Sequence, residues 1–137
     1  MQQIGSCYVV HGNDVDTLSF DWGRCKIFSS PHAFGGPTMT FGMTILEPGK
    51  GHARHNHPDA DEILFFLSGE GEQMLDDQPP VPVGPGASVY IPRGVYHGTL
   101  NTGWQPLRFL VIYAPGGVEQ TLRTLPDVTI LPAGVIT

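Results

Sequence analysis

Residues 38 to 45 alternate: Met39, Phe41, Met43 and Ile45 fall on one side of an extended chain, Thr38, Thr40, Gly42 and Thr44 on the other. A period of two over eight residues predicts a half-buried strand within PTMTFGMTILEP, 37–48. EILFFLSG (62–69) is apolar at nearly every position and stops at Gly69, which predicts a strand covered on both faces. GEQMLDDQ carries the chain past that turn. ASVYIPRG (87–94) and LRFLVIYAP (107–115) are further strands rich in β-branched and aromatic residues. Only GVEQTLRTL (117–125) has the composition of a short helix. Short strands with almost no helix predict an all-β fold, an antiparallel sandwich or barrel. Met39, Phe41 and Met43 are expected to line its interior as core packing.

Composition narrows this picture. The chain has 137 residues, the size of one compact domain, and no repeat or linker divides it. Thirteen prolines and eighteen glycines are spread along it, which suits many strands joined by turns. The net charge is −6 and the seven basic residues form no stripe, so nothing supplies the footprint that nucleic acid requires. The same scatter gives no anchor for an anionic membrane, and no apolar run approaches the ~20 residues that span a bilayer. The opening MQQIGSCYVVHGNDVD lacks the charged start and apolar length of a signal peptide, so a soluble cytoplasmic protein is expected. Cys7 and Cys25 are too few for a disulfide framework and are read as reduced thiols.

One stretch stands apart. HARHNHPDADE (52–62) gathers three histidines and three acids in a chain that is only 15% charged. His55 and His57 are two apart, so an extended segment points both to one side. Glu62 opens the next strand and returns beside them, and His97 follows a Pro-x-Gly turn far downstream. Three imidazoles and a carboxylate on neighbouring strands make a first shell for a divalent transition metal. By spacing alone, a polar surface patch remains the competing explanation.

The order of residues around these four resembles the cupin family. Gly49, His55, His57, Glu62 and Gly69 fill the first cupin motif, with five, one, four and six residues between them. Gly86, Pro92, Gly94, His97 and Asn101 fill the second, with five, one, two and three between, and sixteen residues separate the motifs. The resemblance implies a double-stranded β-helix, a jelly-roll-like barrel of six to eight strands, built as a single domain over 1–137. Its motifs lie at 49–69 and 86–101, with N-terminal strands in 1–48 and a C-terminal strand and tail in 107–137. It also implies a metal held in the barrel mouth by His55, His57, Glu62 and His97. Asn101 is read as a turn or backbone-bonding residue, since amides bind such metals weakly.

The other polar residues have lesser expected roles. His52 is three before His55, so an extended chain turns it away, to the surface or the mouth. Asp59 and Asp61 belong to a solvated turn, with Asp61 a possible partner for an imidazole N–H. Gln73 and Tyr90 are candidates to face the cavity. Four protein ligands leave two positions on a six-coordinate ion, and one carboxylate leaves net positive charge. The expected cofactor is one divalent ion per chain, Fe(II) or Mn(II) first and Ni(II), Co(II) or Zn(II) as alternatives. The expected partner is a small anionic or chelating substrate.

Three functions are open on this reading. A dioxygenase leads. A non-redox isomerase, cyclase, decarboxylase or lyase acting on a sugar or polyketide is second. A metal- or metabolite-binding protein without turnover is third. A homodimer is also expected. If Glu62 points inward, parity sends Leu64 and Phe66 with it and leaves Ile63, Phe65 and Leu67 facing out.

Overall fold

A computed structural model describes residues 1–34 and 38–136. Pro37, which opens the alternating stretch, and Thr137, which ends the tail, lie outside the described residues. In chain order the strands are β1 (Gln2–Ile4), β2 (Cys7–Val9), β3 (Thr17–Phe20), β4 (Gly23–Ser29), β5 (Thr40–Leu46) and β6 (Asp61–Ser68). There follow β7 (Gly71–Leu75), β8 (Val81–Val83), β9 (Ser88–Ile91), β10 (His97–Asn101), β11 (Leu107–Ala114) and β12 (Thr129–Leu131). Seven strands form one sheet in the order β12-β3-β4-β5-β11-β6-β9, three form a second in the order β10-β7-β8, and β1-β2 is a separate hairpin. Every pairing is antiparallel. Isolated bridges from Gly51 to Leu100 and from His55 to His97 extend the smaller sheet along β10.

Leu64 and Phe66 of β6, Phe109 and Val111 of β11, Ile91 of β9 and Val83 of β8 belong to one buried cluster, so the core lies between the two sheets. This is the double-sheet barrel that the motifs imply, with twelve short strands among the described residues where six to eight are expected. The expected helix at 117–125 is a 3-10 helix, Val118–Thr124. Two further single turns, Gly12–Asp14 and Pro31–Phe34, carry no periodic signal long enough to be read. Gly69 closes β6 as expected: its φ is +87°, and a Cβ there would sit 2.6 Å from the carbonyl oxygen of Pro106. Only glycine fits both demands.

Two expectations about faces are corrected. β6 is not covered on both sides: Glu62, Leu64 and Phe66 are buried, whereas Ile63, Phe65 and Leu67 are 40%, 41% and 43% exposed. On β5 the inward face is the polar one, with Thr40 and Thr44 buried, while Phe41, Met43 and Ile45 are half-buried on the outside and Met39 is exposed. Phe41, Met43 and Met39 therefore do not line the barrel. The methyl groups of threonine suit a packed interior. Phe41 instead meets Phe28 at 6.0 Å on the outer surface, where the N-terminal segment stacks Tyr8 on Phe34.

Candidate metal centre

The backbone brings the ligands together before any side chain is considered. His55 N–H donates to the carbonyl of His97 at 2.9 Å, and His97 N–H donates back to His55 at 2.8 Å. Gly94 N–H donates to the carbonyl of His57 at 3.0 Å, and the turn closes from Val95 N–H to Pro92 at 3.2 Å. Gly94 takes a φ of +78°, which lets this turn launch β10 with His97 facing inward. Glu62 arrives on the inner face of β6. One ligand atom from each of His55, His57, Glu62 and His97 lies within 4.8 Å of the others.

The polar atoms at this point lack partners. Nε2 of His97 is 2.8 Å from Oε2 of Glu62 and Nε2 of His57 is 3.3 Å from it. Neither contact has hydrogen-bond angles, and all three atoms are buried with no partner. Buried polar atoms are nearly always satisfied, so three orphans aimed at one place mark a site for a shared ligand. The other imidazole nitrogens show the same orientation: Nδ1 of His55 lies 2.7 Å from the Ala53 carbonyl and Nδ1 of His97 lies 2.9 Å from that of Val95. An Nδ1–H donated to each carbonyl leaves the Nε2 lone pairs facing inward, as metal ligation requires. Imidazole and carboxylate donors suit first-row divalent ions, so the residues fit such a group.

The electrostatics follow from burial and crowding. Burial, then the neighbouring His52, holds His55 down at about 4. Burial works to raise Glu62, but the flanking His57 and His97 outweigh it and hold the carboxyl at about 2. For His97, burial works downward while Glu62 beside it raises the net value. Burial, reinforced by the negative charge of Glu62, raises the Tyr113 phenol well above its ordinary range.

These shifts fix the pH behaviour. His55 in the unfolded chain takes a proton near pH 6.5, so its contribution to stability is complete above that and is lost as pH falls toward about 4. Glu62 contributes fully above about pH 4.5 and loses its contribution toward pH 2. His97 has the opposite sign, stabilising at low pH and ceasing to do so as pH rises through its raised value. Ligating histidines must be neutral, so bound metal should be released on acidification, with His97 taking up the first competing proton. Competition titrations at pH 7, 5.5 and 4 should show steadily weaker binding. Affinity that stays flat to pH 4 would show that histidines are not the principal ligands.

Above the four side chains opens a cavity of about 370 Å³. His52 lines it, its ring 4.2 Å from that of His55 and 4.7 Å from that of Trp22, so it sits in the mouth beside the ligands. Asp59 stands exposed at the rim, in the turn where it is expected. Asn101 is fully buried and bonds only backbone atoms. Three other candidates are corrected. Tyr90 is 59% exposed, because pairing of Glu62 with Ile91 turns Ile91 inward and Tyr90 outward. Asp61 accepts the Arg93 N–H at 3.1 Å and orients no imidazole. Gln73 is buried but accepts the Thr99 hydroxyl at 2.6 Å and does not line the cavity. Sequence reasoning missed Tyr113, whose ring meets His57 at 5.0 Å, and the buried Cys25, which lies 3.3 Å from the Thr44 hydroxyl. It also missed the 3-10 helix as a cavity wall. The only charge on β11 is Arg108; it is exposed, and parity from it puts Leu107, Phe109, Val111 and Tyr113 on the buried face, a signal that could have found Tyr113.

A barrel with imidazole and carboxylate groups converging in its mouth defines a class, the small β-barrels whose grouped side chains could hold a metal ion. Residues 42–113 match the cupin domain, and the chain belongs to the cupin family. Glucose-6-phosphate isomerase of Thermococcus kodakarensis is 39% identical over 90 residues, covering 55% of this chain and 46% of that protein. Dimethylsulfoniopropionate lyase DddQ of Ruegeria pomeroyi is 34% identical over 94 residues, covering 69% of this chain and 46% of that protein. The chain thus spans about half the length of these curated relatives. KdgF from Halomonas sp. shares the fold with a TM-score of 0.71 at 16% identity, covering 82% of this chain and 99% of that one. No helix among the described residues is long and apolar enough to cross a membrane.

Proposed function

We propose that the protein is a divalent-metal-dependent enzyme of non-redox type, an isomerase or lyase acting on a small carbonyl compound that binds through oxygen. The observation that carries this reading is the convergence of His55, His57, Glu62 and His97, three of their ligand atoms orphaned, at one end of a cavity. A divalent ion held there supplies Lewis acidity, polarising a carbonyl and stabilising the negative charge that develops as a neighbouring carbon loses a proton. Tyr113 keeps its proton because burial and Glu62 disfavour the phenolate, so it is a hydrogen-bond donor rather than a base. His52, held low by burial, is a neutral imidazole at the mouth, where a proton can be accepted. The wall around these groups is mainly apolar, which strengthens electrostatic interactions beside it.

Dioxygenase chemistry, first on the sequence, yields to this reading because the two relatives above are an isomerase and a lyase. Elemental analysis of the purified protein, followed by a panel of hydroxy ketones and keto acids in D2O, tests it. Deuterium at the carbon next to the carbonyl, with no oxygen uptake, is expected. Oxygen consumed with bound Fe(II) would return the site to oxygenase chemistry. Neither signal, with metal bound, would favour a binding protein.

We propose also that the protein is a homodimer. Ile63 pairs with Ile112 and Tyr90, Phe65 with Leu110, and Phe41 and Met43 continue the row on β5, which gives an apolar band across the outer sheet. Phe41 and Met43 are half-buried, whereas Ile63, Phe65 and Leu67 are open. Such a patch is one that soluble proteins normally cover. Light scattering at micromolar concentration should give twice the 14.8 kDa chain mass, and Phe65→Asp should halve it. A wild-type monomer would remove the interface.

A further inference from the structure

The cavity carries a second message in the charges that are missing from its wall. All seven Lys and Arg side chains lie among the described residues, and none lines the cavity. Arg24 is paired with Glu47 at 3.3 Å, Arg54 with Asp77 at 3.1 Å, Arg93 with Asp61 at 3.5 Å and Arg123 with Asp16 at 2.9 Å. Lys26 donates to the carbonyls of Gly12 and Ile136 at 2.7 and 2.6 Å, and Lys50 and Arg108 are exposed elsewhere. The wall is instead mainly Trp22, Leu64, Phe109, Val111, Leu122 and Leu125, with a few hydroxyls, the Asn56 amide, the His52 ring and, at the rim, the Asp59 carboxylate.

That wall is built rather than incidental. A 3-10 helix has three residues per turn, so Val118 and Thr121 share one side, with Leu122 beside them and Leu125 just past the helix end. All four face the cavity. The helix is fastened at both ends. Near its start, Oε2 of the buried Glu119 accepts the Thr40 hydroxyl at 2.8 Å and the Gly117 N–H at 2.9 Å. Near its end, Arg123 grips Asp16 through two bonds of 2.9 Å.

From this we infer that the substrate is a carbonyl compound with an apolar body and at most one negative charge, and not a phosphorylated one. The inference rests on the metal-enzyme reading for the chelating end of the molecule. A dication against the single carboxylate of Glu62 leaves one positive charge, which one enolate or carboxylate balances. A phosphate would bring further negative charge into a wall that offers no cation and displaces water, where an unpaired charge is costly. A benzyl-sized group meets a mainly apolar wall and gains from leaving water.

Pyruvate, phenylpyruvate and phosphonopyruvate share one chelating head and differ only in the body, so calorimetric titration of the Mn(II)-loaded protein with each separates the terms. Phenylpyruvate should bind about tenfold or more tighter than pyruvate, and phosphonopyruvate more weakly than either. Thr121→Arg, at an exposed position on the cavity side of the helix, should strengthen phosphonopyruvate by about tenfold or more and leave pyruvate within about threefold. Leu122→Ala should narrow the advantage of phenylpyruvate. Phosphonopyruvate binding as tightly as phenylpyruvate to the wild type, or equal binding of pyruvate and phenylpyruvate, would overturn the inference. Metal content is measured separately. If no ion is bound, the metal reading fails, and the same three titrations on the metal-free protein decide the inference by the same order of affinities.

Discussion

His97→Ala should strip the protein of its metal, lowering affinity by more than about 100-fold, beyond what disturbing a partner around a ligand usually costs. Elemental analysis should fall from close to one ion per chain to a trace. The loss is expected because His97 is the most enclosed of the three imidazoles, 2% exposed, and its Nε2 is one of the three orphaned atoms. The fold should survive, since the reciprocal bonds between residues 55 and 97 use backbone atoms that alanine retains. The variant removes the imidazole beside Glu62, so that carboxyl should titrate higher than about 2. Tyr90→Ala is the control, and its metal content should match the wild type because the ring points outward. Full loading of His97→Ala, or a wild type that refuses Fe, Mn, Ni, Co and Zn alike, would end the metal reading.

Asn101→Ala should be the most destabilising single polar substitution in the barrel, by about 3–5 kcal/mol, with a fall in Tm of about 10 °C or more. The side chain is fully buried and makes three bonds to backbone. Its Nδ2 donates to Leu46 at 3.0 Å and Gln105 at 2.8 Å, and its Oδ1 accepts the Gly103 N–H at 2.9 Å. Alanine would leave two carbonyls and one N–H without partners, at a cost of about 1–3 kcal/mol each where they are buried. Thermal unfolding with metal analysis separates an anchor from a ligand. An anchor lowers Tm while the folded fraction still loads metal. A Tm shift under about 2 °C would show that water replaces the amide at no cost.

Where the residues themselves demand a local conformation or chemistry, the sequence was readable. Glycine at 69 and 94 marks left-handed turns, and the His-x-His pair, Glu62 and His97 become legible as a metal shell through the ten motif positions around them, which spacing alone does not settle. Parity on β6 then gave the outward triad. Faces and partners set by the rest of the fold are not readable in this way. On β5 the threonines turn inward and the larger apolar side chains stay half-buried on the outside, so hydrophobicity alone points to the wrong face. Tyr90 and Ile91 are both good strand residues, and only the register against β6 decides between them. Asp61 and Gln73 satisfy partners far away in the chain, Arg93 and Thr99, that no local pattern announces.

The metal ligands and the cavity wall come from separate parts of the chain. The ligands belong to 55–62 and β10, whereas Val118, Thr121, Leu122 and Leu125 follow the last strand of the barrel core and depend on two side-chain clamps. Residues in that helix can therefore be exchanged without disturbing an imidazole, provided Glu119 and Arg123 stay. Such a division lets selection or an engineer recast what the protein accepts while its chemistry stays intact, and makes three positions on the helix and Leu125 at its end the natural place to begin a library.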